Sequence, residues 1–418
     1  MSTEEATISP RKEETPEQGS DIGTKVISLL IMGLVVAIAV YLRLQREEPK
    51  VEIPNNPIVL IPEQLFVGDN SEVRQNIDSL VVYQHKWVIA TAKATNSLFI
   101  YDATNGSLLF TKLLKNDNFE VKRPNGLILR QFFDREFLLI AERDGKRVTI
   151  VDIAADFKIV YQFGDDILKR PYGLDIMKMK DETYHLFITD NYMLRGANGK
   201  QIVPPNEELD KRVLLFELVA AKNEKGAISF KSKFLKKIGD IVIDSGMLNI
   251  VETVVIDEAY DRLVIADEKL NDIKIYNLTT HEFSGKTIGI PKKGKPSTSQ
   301  DKCSKKFSFI GEPEGFVIFS CQTKEPARKV NTGFYIFTDQ LKDRSKFHIV
   351  RRDNLCYVGS FMGNEICKTD GVTIDETLGL FYAVHDDRTA GSFKLKDIVN
   401  KVIKKNLSPQ TLSQICPL

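Results

Sequence analysis

One short pattern, repeated six times, predicts an all-β chain folded as a six-bladed β-propeller behind a disordered tail and one transmembrane helix. Three observations lead there. From about Val51 onward the chain shows short apolar runs, rich in β-branched and aromatic residues and separated by Asn, Asp, Gly and Lys. Long helical periodicity is missing from the same stretch. A polar residue followed by an apolar strand recurs at Asp78, Asn125, Tyr172, Glu252, Glu314 and Asp370, spaced 47, 47, 80, 62 and 56 residues apart.

The elements follow in order. Residues 1–25 carry six acidic and three basic side chains among Ser, Thr, Pro and Gln, too little apolar surface to offset the entropy of ordering. Residues 26–42 form an uncharged run of seventeen residues broken only by Ser28 and Gly33. That length reaches the lower limit for crossing a bilayer, and the long acidic stretch before it favours an uncleaved anchor over a signal peptide. Arg11, Lys12 and Lys25 precede the run and Arg43, Arg46 and Lys50 follow it, so the positive-inside rule does not choose a side. Residues 43–60 read as a linker, 61–400 as the propeller and 401–418 as a C-terminal tail.

Within the propeller each strand start leads, after a turn, to a second apolar run, as in Trp87-Val88-Ile89-Ala90 and Arg262-Leu263-Val264-Ile265-Ala266. A blade of four strands takes about 40 to 50 residues, so the longer intervals leave room for inserted loops. The segment Asn56–Ile61 is expected to close the ring against the last blade. Radial repetition leaves only short exposed edges, and two sandwiches of the same length would not give a strand start that recurs six times.

Composition narrows function. Lys and Arg number 58 against 57 Asp and Glu, a net charge of +1, which does not suit a nucleic-acid binder. All five cysteines lie beyond residue 300, without CxxC spacing, so a zinc site is not indicated. Cys303 with Cys321, and Cys356 with Cys367, would close loops of sensible size, although spacing alone cannot establish pairing. Asn105, Asn277 and Asn406 each begin an Asn-x-Ser/Thr triplet, a pattern common by chance. Cysteines and triplets together point to a domain outside the cytosol: periplasmic, lumenal or extracellular.

In a propeller the six strand starts converge at one mouth of the central channel. Four of the six here are carboxylates, and Glu312 approaches the same place two residues before Glu314. Clustered carboxylates repel one another unless cations bind or some stay protonated, and hard oxygen donors suit Ca²⁺. For any single position a solvated turn residue is the ordinary explanation; the shared offset is what argues for a site. Arg143 and Lys93 lie just after second strands, where they can face phosphate oxygens or form surface ion pairs.

These residues resemble the β-propeller phytases, calcium-dependent phosphatases of inositol phosphates. Gly311-Glu312-Pro313-Glu314-Gly315 is similar to an acidic strand start of that family. Thr369-Asp370-Gly371, Leu380-Phe381-Tyr382-Ala383 and Phe393-Lys394 resemble its later segments. The likeness extends thinly toward residue 70 through Glu252, Glu268, Tyr172 and Arg143. It implies several Ca²⁺ ions held by Asp78, Glu252, Glu268, Glu312, Glu314 and Asp370. It further implies catalytic roles for Glu252, Glu314 and Asp370, and phosphate binding by Lys93, Arg143 and Tyr172. A monomer acting on a small phosphorylated substrate follows from the same likeness, while membrane contact through the N-terminal helix follows from the apolar run at 26–42. The chain departs from the family where Ile77 precedes Asp78, where Thr253 follows Glu252, and in the third blade at Thr189-Asp190-Asn191.

A second resemblance, to strictosidine-synthase-like, paraoxonase-like and SMP-30-like propellers, rests on Arg123-Pro124-Asn125-Gly126 and Pro171-Tyr172-Gly173-Leu174. It implies one deep ion with Asn125 and Asn191 beside Glu252. A phytase-like mouth should instead gather at least four of the named carboxylates around metal. A propeller used only as a binding scaffold is the third possibility.

Overall fold

The computed structural model describes residues 57–67, 75–116, 118–209, 211–242, 245–290, 303, 305–322 and 326–416. The tail and the apolar run expected at 1–42 lie outside the described residues. Among the described residues, no helix is long and apolar enough to cross a membrane.

Six antiparallel sheets follow one another along the chain. Blade 1 is Ile77–Tyr83, Trp87–Ala92, Ser97–Asp102 and Leu108–Leu113; blade 2 is Pro124–Phe132, Arg135–Glu142, Arg147–Asp152 and Lys158–Phe163. Blade 3 is Pro171–Lys178, Thr183–Asp190, Val213–Lys222 and Ile228–Ile238, with a small hairpin inserted between its second and third strands. Blade 4 is Val251–Asp257, Arg262–Asp267, Asp272–Asn277 and Phe283–Ile288. Blade 5 is Glu312–Phe319, Phe334–Gln340, Lys346–Arg351 and Tyr357–Gly363, and blade 6 begins with Val372–Asp375, Leu380–His385 and Thr389–Lys394. The all-β, six-bladed expectation holds.

Ring closure differs from the expectation by a few residues. Val59–Leu60 pairs in parallel with the outer strand of blade 5, and Gln64–Leu65 supplies the fourth strand of blade 6. Pro62 separates the two pieces, since it has no N–H to continue a ladder. Leu60 is buried between blades 5 and 6 and Phe66 between blades 6 and 1, so one short segment seals two seams.

The core is six apolar layers, one between each pair of neighbouring blades. Aromatics dominate the seam of blades 5 and 6, where Phe347, Phe361, Phe381 and Phe393 meet edge to face. The residues expected as a tail after 400 are largely helical. Pro409–Ile415 starts at Ser408, whose hydroxyl accepts the Thr411 N–H (3.2 Å), and it buries Leu412 and Ile415 in that seam.

The disulfides are Cys303–Cys356 and Cys321–Cys416, with Cys367 free. The pairs suggested by loop size do not form. Cys321 leaves blade 5 against the C-terminal helix, 95 residues away in sequence but 5.1 Å between Cα atoms. Such a contact is created by tertiary packing, so spacing carries no sign of it.

The repeated strand start has a steric cause. A Cβ on Gly126, Gly173, Gly315 or Gly371 would run into the carbonyl oxygen of Tyr172, Glu252, Asp370 or Asp78, the strand start of the next blade. A small residue must therefore follow each converging side chain. Where Ser79 follows Asp78, its N–H donates to Thr91 Oγ1 (3.0 Å), which donates to the Asn125 carbonyl (2.9 Å). Thr189 makes the same bridge from the Gly173 N–H to the Glu252 carbonyl, both at 2.7 Å. In five inner strands the register slips at this dipeptide, a β-bulge that re-aims the side chain before it.

Candidate functional site

The inner strands surround a central cavity of about 440 Å³. Asp78, Tyr172, Glu314 and Asp370 line its upper end, and Pro326, Ala327 and Arg328 line its floor. Arg328 reaches from blade 5 to blade 3, donating to the Ile176 carbonyl (2.6 Å) and to Asp175 Oδ1 (3.1 Å).

A second set of side chains stands in register with the strand starts. Each follows the second-strand residue that pairs with the residue just before a strand start: Lys93, Arg143, Asn191, Glu268 and Gln340, after Ala92, Glu142, Asp190, Asp267 and Asp339. Lys93 pairs with Asp78 Oδ2 and with Asp370 Oδ2 (3.1 Å), while Gln340 donates to Asp370 Oδ1. Tyr172 donates its hydroxyl to Asp78 Oδ2 (3.1 Å), and Asn191 Nδ2 donates to Glu252 Oε1 (2.9 Å). Sequence reasoning singled out Lys93, Arg143 and Glu268 but missed Gln340, and gave Asn191 and Asn125 an ion-binding role only in the single-ion alternative. Gln340 is itself the last residue of its strand, so counting one residue past each second strand passes over it.

Electrostatics divides this mouth. Burial, reinforced by neighbouring carboxylates, holds Glu252 and Glu314 well above the usual carboxyl range. Burial and then Glu312 raise Glu268, and Asp370 is pushed up to about 7 by burial against the pull of Lys93. Lys93, which burial alone would lower, is raised because Asp78 and Asp370 outweigh that cost. Burial also raises Tyr172, and the surrounding acids raise it further. On the opposite side Arg143 is lowered by burial, then by Arg170 and Arg123. Its nearest acid is Asp144, at 3.6 Å. Acids therefore gather toward blades 4 to 6 and 1, and guanidinium groups toward blades 2 and 3.

No three His, Cys, Asp or Glu side chains among the described residues stand together as a metal-holding group. Asp78 and Asp370 are neutralised by one buried lysine, and Glu312 is exposed. Lys93 and Tyr172 both donate to Asp78, while Arg143 lies near Arg123 and Arg170.

A smaller donor set is left over. Both side-chain polar atoms of Asn125, Asn191 Oδ1 and Glu252 Oε2 are buried with no hydrogen-bond partner among the described residues. The Glu252 and Glu268 carboxyls lie within hydrogen-bond reach of each other, so they share a proton or need a cation between them. An unpartnered buried polar atom costs about 1–3 kcal/mol. Several at one mouth mark a place built for something else. Amide and carboxylate oxygens fit one hard cation such as Ca²⁺. They do not fit a multi-ion cluster.

No protein-family model matches the chain, and no curated protein matches it. The phytase resemblance thus rests on the residues quoted for it. Among solved structures the chain is similar to a calcium-binding protein, regucalcin, from Agrobacterium tumefaciens, at 11% identity and TM-score 0.46, covering 81% of this chain and 95% of that one. A virginiamycin B lyase from Staphylococcus aureus is similar at 11% identity and TM-score 0.42, over 77% and 96% of the two chains. An auxiliary nutrient-binding protein from Bacteroides thetaiotaomicron is similar at 10% identity and TM-score 0.44, over 76% and 69%. None of these similarities bears on what this chain does.

Proposed function

We propose that this chain is a divalent-cation-dependent hydrolase of a small anionic ester, phosphomonoesters included, working at the upper mouth of the channel. The observation that carries it is the set of unpartnered buried oxygens on Asn125, Asn191 and Glu252. Those three residues would hold one Ca²⁺. When bound, such an ion polarises a substrate oxygen and lowers the pKa of a water molecule.

The protein's own groups supply the rest. Arg143, with Arg123 and Arg170 near it, binds the anionic group, and the Nε atoms of Arg123 and Arg170 are buried with no hydrogen-bond partner among the described residues. Glu314, whose protonated form is favoured by burial and by Glu252, donates a proton to the leaving oxygen. Lys93 fixes Asp78 and Asp370 and has a positioning role. We read the propeller as a monomeric, extracytoplasmic domain anchored by residues 26–42, a location that two disulfides favour.

The test is hydrolysis of p-nitrophenyl phosphate, phytate and p-nitrophenyl acetate, each with Ca²⁺ and with chelator. Calcium-dependent turnover of one of them, lost in E252Q and with KM raised in R170Q, supports the assignment. Turnover unaffected by chelator, or no turnover of any, overturns it.

A further inference from the structure

The three Asn-x-Ser/Thr triplets look alike in sequence, but the fold treats them differently. Asn277 ends the third strand of blade 4 and caps its turn: its Oδ1 accepts the Thr280 N–H (2.6 Å), and its Nδ2 donates to Asp261 Oδ2. Asp102 holds the same place in blade 1, accepting the Thr104 and Asn105 N–H groups at 2.8 and 3.0 Å. Asn406 is engaged at both ends, donating to the Val402 carbonyl and accepting from Lys305, each at 2.7 Å. It is also packed so closely that a Cβ on Gly359 would stand 2.9 Å from its Nδ2. A bulky group on either nitrogen would break those contacts.

Asn105 sits at the tip of its turn. It is exposed, its Oδ1 accepts the Ser107 N–H (2.9 Å), and its Nδ2 makes no hydrogen bond among the described residues. Inner strands run away from the mouth, so the turn after a third strand lies on the opposite face, clear of the channel entrance. Two disulfides put such a domain in an oxidising compartment, where oligosaccharide transfer takes place in cells with a secretory pathway.

We infer that Asn105 is the one triplet asparagine that carries an N-linked oligosaccharide in the folded protein. The donor is a polyprenyl-diphosphate-linked oligosaccharide. Asn105 Nδ2 bonds to the anomeric carbon, the bond from that carbon to the diphosphate oxygen breaks, the polyprenyl diphosphate leaves, and the amide gives up one proton. The attached glycan adds a solvated cover beside Gln64, the closing strand of the ring.

The test expresses the full chain in a eukaryotic secretory host and compares mobility before and after peptide N-glycosidase. A companion variant, K225T, completes a control triplet at Asn223, which lies in an exposed turn. The expected result is one glycan on the wild type, absent in N105Q, mapped to Asn105 by mass spectrometry, and two on K225T. A glycan that survives N105Q, or one on K225T at Asn223 only, overturns the assignment. No glycan on either protein also overturns it, by showing that the propeller does not enter that compartment.

Discussion

Charge is buried at both ends of the channel, in opposite ways. At the far end Arg352 and Asp257 are fully buried, and their hydrogen-bonding capacity is spent. Arg352 donates to Asp257 Oδ2 (3.1 Å) and Oδ1 (2.6 Å), and to the Thr332 (2.6 Å) and Ala327 (3.0 Å) carbonyls; Tyr335 also donates to Asp257. At the mouth, Asn125 is equally buried, and its side chain has no hydrogen-bond partner among the described residues. Satisfied buried polarity holds the blade 5 loop beneath the channel. Unsatisfied buried polarity at the mouth is a stability cost that only a ligand offsets.

Removing one partner at the far end should have the largest effect. Arg352→Met leaves Asp257 as an uncompensated buried charge and should cost about 3–5 kcal/mol in urea unfolding. A D257N variant of near-wild-type stability would show that the two ends do not differ as described. Next in size is the tie on the same loop. Removing Cys321–Cys416 by paired serine substitution should cost about 2–4 kcal/mol, with little change in calcium binding at the mouth.

Effects at the mouth should be smaller and unusual in sign. Because Asp370 is raised from 3.8 to about 7, the folded state binds the extra proton across that range. Its contribution is therefore present at low pH and lost as pH rises from about 4 to 7. Unfolding measured in chelator at pH 5 and pH 8 should show that loss, and D370N should flatten it. The smallest effect reverses the usual cost of a core substitution. Asn125→Leu removes an unsatisfied buried amide and should leave the metal-free protein unchanged or about 1 kcal/mol more stable. A loss of several kcal/mol would mean that Asn125 belongs with the satisfied network.

The sixfold architecture was legible because its signal is local. A converging polar side chain followed by a small residue is required wherever the next blade's carbonyl approaches, so Asn125-Gly126 and Asp370-Gly371 read alike. Lys93, Arg143 and Glu268 were within reach for the same reason. Pairings were not legible. Which carboxylates Lys93 would neutralise depends on how blades 6 and 1 meet, and Cys321 finds Cys416 only after the C-terminal helix docks. The acids expected to bind calcium illustrate the point: Asp78 and Asp370 are acidic in sequence and paired with Lys93 in the fold.

Calorimetric titration of Ca²⁺ into the wild type, N125L and D78N tests the central claim most directly. One ion per chain, lost in N125L and retained in D78N, is the predicted result. Several ions per chain, or a single site that survives N125L and disappears in D78N, would contradict it.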